Sequence, residues 1–209
     1  MVTLTVYGDP KSTCTQRILI LLEELKLKYT LETVDLKKEA HKDSTFLALQ
    51  PFGKVPVIVY GDKVIFESRS ILRYISKNNI EDVDLTLDNS YEVDMWLEAE
   101  SQNFNPLISK IVYEKLFKAW KKQDTDEHLV RETLEGFKKV LDVYESRLSA
   151  SKYIGGDHFS IADISHIPYL NYFLKSDSSY KALLKEYPRV YKWFKRLMMR
   201  DAVKDVLSM

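Results

Sequence analysis

The stretch VPVIVYGDKVIFESRSILRYISKNN, residues 55–79, carries three structural signals in succession. Two β-rich runs, VPVIVY (55–60) and KVIFE (63–67), flank Gly61-Asp62, a pair suited to the tight turn of a hairpin. SRSILRYISKNN (68–79) then reads as a helix with Ser68 as its N-cap. Pro56 stands where the first of these strands opens, a position at which the missing N–H disturbs a ladder least. On chemistry alone the Val55–Pro56 bond is expected to be trans, because only about 5–6% of X–Pro bonds are cis.

Toward the N-terminus, VTLTVY (2–7) is a compact β-rich run. Cys14, Ile18, Leu21, Leu22 and Leu25 then recur at helical spacing. YTLETVDL (29–36) alternates like a second strand, and a short polar helix containing FLAL (46–49) follows. The resulting order is β-α-β-α-β-β-α, in which the strand–helix–strand unit favours parallel pairing and the hairpin adds an antiparallel pair. Toward the C-terminus, IEDVDLTLDN (80–89) is acidic and unpatterned and reads as a linker. Amphipathic helical patterns run from about Ser90 to Trp120, with a kink expected at Pro106, and from about Asp126 to Leu148. Two more begin near Ser160 and after Pro188. The expected organisation is an α/β domain over 1–80, a linker over 81–89 and an all-helical domain over 90–209.

Bulk composition narrows the function. The 209 residues hold 31 Lys+Arg and 31 Asp+Glu, so the global basic excess of many nucleic-acid-binding proteins is absent, and no nucleic-acid partner is expected. A single cysteine rules out an internal disulfide and fits a reducing compartment. No apolar run approaches the roughly 20 residues that span a bilayer, and MVTLTVYGDP reads as a strand start, not a signal peptide. A cytoplasmic protein without a membrane partner or a metal site is the expectation.

FSIADI (159–164) is explained by local physics. Ser160 followed by Asp163 is an acidic variant of the capping box, and Phe159 with Ile164 forms a hydrophobic staple around it. Both Ser160 and Asp163 are therefore read as structural.

Five short stretches carry a family resemblance: STCTQR (12–17) after the first strand, HK (41–42), FGKVPV (52–57) opening the hairpin, FESRSILRYI (66–75) and FSIADI (159–164). In this order, across the whole chain, they resemble the cytosolic glutathione transferases, most of all the phi class of plants and fungi. The resemblance implies a thioredoxin-like α/β domain joined to an all-helical domain, and a homodimer. It implies reduced glutathione as co-substrate, hydrophobic electrophiles as second substrates, no tightly bound cofactor, and possible reduction of peroxides.

It also implies site roles. Val55, held by a cis Pro56, would pair with the cysteinyl backbone of glutathione, a strand addition in miniature. Ser68 and the start of its helix would receive the γ-glutamyl carboxylate, with Glu67 completing that polar pocket. His41, Lys42 and Lys54 would face the glycyl carboxylate; at Lys54 the family commonly has glutamine. Ser12 would be the catalytic residue, donating a hydrogen bond to the glutathione sulfur at the positive end of a helix, with Thr13 in reserve and Lys11 adding positive potential. A free thiol titrates near about 8.5, and lowering that by about 2 units takes about 2.7 kcal/mol of thiolate stabilisation. Tyr113 and Phe117 would line the electrophile pocket, beside Trp120.

Cys14 is the competing thiol. Residues two apart on a helix point about 200° away from each other, so Cys14 faces away from Ser12 if the helix starts at Ser12. Its phase with Ile18, Leu21 and Leu25 predicts a small buried hydrophobe. The alternatives to a conjugating enzyme are a non-catalytic ligand carrier of the same fold and a thiol transferase working through Cys14.

Overall fold

A computed structural model describes residues 4–77 and 90–209. The expected linker over 81–89 lies outside the described residues. The chain divides into two compact units, Met1–Thr86 with Asp201–Met209, and Leu87–Arg200.

Among the described residues the first unit is built on four strands, β1 (Leu4–Gly8), β2 (Tyr29–Thr33), β3 (Val57–Tyr60) and β4 (Lys63–Phe66), in the spatial order β2-β1-β3-β4. β1 and β2 are parallel, as their connection through α1 (Thr13–Glu24) requires, and the other two pairings are antiparallel. This is the thioredoxin-like arrangement that the family resemblance implies. Register sorts the side chains by parity. Tyr7, Val57 and Phe66 stand in one row and pack with Phe46 of α2 (Ser44–Leu47). The next row, Val6 and Ile58, points to the opposite face and is fully buried, as are Leu4, Ile18, Leu21 and Leu22 and, from α3 (Ser68–Lys77), Ile71, Leu72 and Ile75. Residues 61–62 make the hairpin turn, with Gly61 at φ +63°.

At the end of β1 the Thr15 side chain of α1 returns against Gly8 and leaves little room for a larger residue. A Cβ there would lie 2.6 Å from the Thr15 side chain. A final helix, Asp201–Ser208, packs on α1 and groups with this unit.

In the second unit the helical path begins with α4 (Tyr91–Ala99) and α5 (Asn105–Val112), joined by a π-helical turn over Glu100–Phe104. A second π turn over Tyr113–Phe117 leads into α6 (Lys118–Trp120). Pro106 sits in the first turn of α5, where its missing N–H is tolerated. The backbone irregularity expected at that proline is thus a register shift just before it. α7 (Glu127–Ala150), α8 (Ile161–Ser176), α9 (Tyr180–Lys185) and α10 (Pro188–Met198) complete the unit, with α11 naming the terminal helix Asp201–Ser208 already described. α8 is buried on nearly all sides, and Phe104, Phe137, Tyr144, His166 and Phe173 form a continuous aromatic core. Among the described residues no helix is long and apolar enough to cross a membrane.

The start of α8 is fastened by Asp163. Its carboxylate is fully buried and accepts four hydrogen bonds, from the N–H groups of Ile154 and Ser160 (both 3.0 Å), the Ser160 hydroxyl (3.2 Å) and the Trp193 indole of α10 (2.7 Å). Burial pushes its pKa up to about 6, against the pull of those donors. The carboxylate therefore ties the loop before α8, the cap and α10 together. Replacing it by alanine leaves several buried donors unsatisfied at about 1–3 kcal/mol each. Asp163→Ala should lose at least about 3 kcal/mol of stability, read as a fall in the denaturant midpoint; a midpoint within error of wild type would remove Asp163 from this role.

Candidate active site

The residues expected to bind glutathione fall at two junctions of the first unit, the start of α1 and the start of α3, and in the segment between β2 and β3.

At the first junction Asp9 builds the turn. Its carbonyl accepts the Ser12 N–H at 2.9 Å and its carboxylate accepts the Lys11 N–H at 2.8 Å. Ser12 takes the N-cap position of α1, with φ −73° and ψ 127°, and its carbonyl accepts the Gln16 N–H at 2.9 Å. Yet its hydroxyl makes no capping bond, and it has no hydrogen-bond partner among the described residues. A half-buried hydroxyl at a helix N-terminus thus remains available to an incoming group. Thr13 is buried, and Lys11 is exposed.

Cys14 departs from expectation. It keeps partial exposure while Thr13 and every residue from Thr15 to Leu22 are buried. The apolar stripe read from Ile18, Leu21 and Leu25 is only part of the buried surface of α1, because α3 and α11 both pack against the helix. Cys14 is thus not the core residue its phase predicted.

Arg17, which sequence reading passed over, is 1% exposed. Its Nη1 donates to Ser68 Oγ at 3.2 Å and approaches Cys14 Sγ at 3.7 Å. A buried cation at this point joins α1 to the start of α3. The signal for it was a lone arginine directly before the apolar run ILILL (18–22).

At the second junction Glu67 has φ +67°, an uncommon conformation for a residue with a side chain, and its carbonyl accepts the Ile71 N–H at 2.9 Å. Glu67 thus occupies the cap position of α3, and Ser68, expected there, is the first helical residue instead. Ser68 is buried, while Glu67 is exposed.

The segment before β3 holds the remaining residues. The Val55–Pro56 bond is cis. The β1–β3 ladder begins at Val57, so Val55 lies outside it and is half-buried. His41 and Lys42 form a 3-10 turn over Ala40–Lys42. The His41 Nδ1 is buried without a hydrogen-bond partner among the described residues. Lys42 Nζ donates to the carbonyls of Gly53 (3.0 Å) and Phe52 (3.4 Å), so this ammonium fastens the loop. Gly53, at φ +57°, has no room for a Cβ, which would stand 2.7 Å from the His41 carbonyl. Lys54 is exposed and has no acidic partner among the described residues.

In the second unit, Tyr113 and Phe117 open and close the second π turn. Tyr113 is 40% exposed. Phe117, Trp120 and Tyr172 pack in a triangle with ring centroids 5.2–5.8 Å apart. The turn is pinned by Glu114, whose buried carboxylate accepts the Asp126 N–H at 2.9 Å and pairs with Lys118 at 2.8 Å. The hydrogen bond from Lys118 draws the Glu114 pKa below its ordinary value.

Comparison with known proteins gives these features a family. The model of the glutathione S-transferase N-terminal domain matches residues 2–77, and that of the C-terminal domain matches residues 104–201. The rice protein "Probable glutathione S-transferase GSTF1" (Oryza sativa subsp. japonica) is 39% identical, covering 100% of this chain and 97% of its own. Among solved structures, glutathione transferase F7 from Populus trichocarpa is 35% identical with a TM-score of 0.91, covering 99% of this chain and 98% of its own. Glutathione S-transferase I from maize, solved with an atrazine glutathione conjugate, is 32% identical with a TM-score of 0.88, covering 99% and 97%. The two domain models and these end-to-end relatives establish that the chain belongs to the glutathione S-transferase family of enzymes and is most similar to its phi class.

Proposed function

We propose that the protein binds reduced glutathione on its first unit and that Ser12 holds the bound sulfur as a thiolate for attack on hydrophobic electrophiles. The observation that carries this reading is the unused Ser12 hydroxyl at the N-terminus of α1. A hydroxyl donor and a helix dipole aimed at one sulfur favour the anion over the thiol. Ser12 acts as a donor, and the nucleophile is the glutathione sulfur. Lys11 adds positive potential at the same helix end.

The remaining roles follow from the chemistry of the tripeptide. Val55, outside the ladder, offers its backbone to the cysteinyl residue. The start of α3 takes the γ-glutamyl carboxylate, with Ser68 at its first position, Arg17 supplying charge behind it and Glu67 facing the γ-glutamyl ammonium. Lys54 meets the glycyl carboxylate as a charge where the family commonly has an amide. His41 offers its ring, and Lys42 acts by holding the Gly53 loop. Tyr113 and Phe117 contribute to the apolar wall for the electrophile. The same thiolate serves peroxide reduction, and both reactions draw on the reduced glutathione of the cytoplasm.

A homodimer is part of the proposal. α4 and α7 leave Tyr91, Met95 and Val143 more than half exposed, and between these helices lies an apolar pocket of about 400 Å³ lined by Trp96, Ala99, Val140 and Val143. Large exposed apolar surface of this kind marks an interface. Sedimentation at micromolar concentration should give twice the chain mass; a monomer would refute the dimer.

Conjugation of an activated aryl chloride tests the catalytic assignment. Ser12→Ala should lower kcat/KM by about 100-fold, the equivalent of about 2 pKa units on the thiol. Cys14→Ser should run near the wild-type rate. The wild-type pH profile of kcat/KM should inflect below about 8.5, and that of Ser12→Ala should move up toward the free-thiol value. The reverse ranking of the two variants would identify a thiol transferase. Glutathione binding without turnover of aryl chlorides or hydroperoxides would identify a carrier.

Gly53→Ala probes the loop independently. Its Cβ clashes with the His41 carbonyl, so KM for glutathione should rise about tenfold with kcat little changed, the signature of lost uniform binding. An unchanged KM would detach the loop from the glutathione site.

A further inference from the structure

The second unit contains a cavity that the transferase reaction does not use. It lies between the end of α7, the segment after it and one face of α10, and encloses about 320 Å³. Four of its lining residues are cations, Lys152, Arg189, Lys192 and Arg196, and no acid lines it. Arg189, Lys192 and Arg196 are spaced i, i+3, i+7 on α10 and so share an arc of about 60° at 100° per residue. Lys152 faces them from the other wall.

This concentration of charge has no counterpart in the composition, since acidic and basic residues are equal in number over the chain. It is neutralised at one point: Glu145 accepts the N–H groups of Arg189 (2.9 Å) and Val190 (3.0 Å) at the start of α10 and pairs with Arg189 Nη1 (3.2 Å). Lys152, Lys192 and Arg196 have no carboxylate partner among the described residues. Like charges one turn apart weaken a helix, so the stripe is unfavourable to folding unless something else meets it.

The walls are fixed as well as charged. Arg196 donates through Nη1 to the Lys152 carbonyl, which ties α10 to the segment after α7. The Arg196 guanidinium and the Lys152 ammonium stand 5.2 and 5.5 Å from the centre of the same Tyr153 ring. Trp193 and Leu148 supply an apolar floor, and Trp193 is held by its indole bond to Asp163. The cavity has the volume of a small metabolite, and guanidinium forks match phosphate and carboxylate oxygens in pairs.

We propose that this cavity binds a small polyanion carrying two or more phosphate or carboxylate groups, through Lys152, Arg189, Lys192 and Arg196. None of these residues belongs to the glutathione site described above. Two charged groups on one ligand can engage Arg189 and Arg196 at opposite ends of the stripe, with Lys192 and Lys152 between and across from them.

Calorimetric titration of the full chain with inorganic pyrophosphate, and separately with citrate, tests this at about 0.15 M ionic strength balanced with chloride. Saturable binding of at least one, one per chain, is expected with Kd below about 1 mM. Preference for pyrophosphate assigns the phosphate class, and preference for citrate the carboxylate class. The double variant Lys152→Gln/Lys192→Gln removes two exposed ammonium groups that make no hydrogen bond in the described structure. It should weaken binding about tenfold or more while leaving thermal unfolding and aryl chloride conjugation unchanged. No saturable binding of either anion, or equal affinity in the double variant, would overturn the proposal.

Discussion

The first unit depends on how closely α1 approaches the end of β1. Gly8 and Thr15 meet at a separation that admits no Cβ on residue 8. Such an approach leaves only Asp9 to Ser12 to reverse the chain, and Asp9 does the local bonding, through its carbonyl to Ser12 and its side chain to Lys11. An N-cap serine ordinarily spends its hydroxyl on the first turn of its helix. Here Asp9 closes the turn before the helix, and the Ser12 hydroxyl makes no bond to the first turn of α1. A steric requirement between a strand and a helix thus yields a polar group without a structural duty.

Arg17 imposes the second constraint. A guanidinium that is 1% exposed is tolerable only with partners in place, and the Ser68 hydroxyl is one of them. The bond fixes the start of α3 against α1 and places a positive charge beside a helix N-terminus, where the dipole is already positive. Two like potentials at one spot raise the free energy of the empty site and lower it again when an anion arrives. The positive φ of Glu67 belongs to the same junction: the chain must turn from β4 into α3 within one residue, and that residue carries a side chain where glycine would be unstrained.

Much of this architecture was legible because local and tertiary demands agree. The hairpin at Gly61-Asp62, the alternation that sorts Tyr7 and Val57 from Val6 and Ile58, and the cap at Ser160 and Asp163 all follow from period and turn chemistry. What escaped were features set by neighbours distant in sequence. Cys14 has the phase of a core residue, but the surroundings of α1 bury the helix almost everywhere except there. Ser68 has the chemistry of a cap, but the backbone makes Glu67 the cap. The register shifts over Glu100–Phe104 and Tyr113–Phe117 were not read either: each extra residue turns the stripe beyond it by about 100°, but no residue type marks where that happens. Of the candidate site, the residue types and their order came from the family resemblance; that Lys42 is spent on the Gly53 loop while Ser12 is not could come only from the hydrogen bonds.

α10 shows how one helix can carry two incompatible surfaces. Its inner face presents Trp193, whose indole satisfies a buried carboxylate on α8, and Val190 and Leu197, which are fully buried. Its outer stripe presents Arg189, Lys192 and Arg196. The inner bonds hold the helix in place regardless of the repulsion along the stripe. Without that anchorage the cations could relieve their mutual field by moving the helix end; with it they can do so only by gathering solvent ions or a ligand. Asp163 therefore fixes more than the start of α8: by fastening Trp193 it holds α10, and with it the outer row of cations, in place.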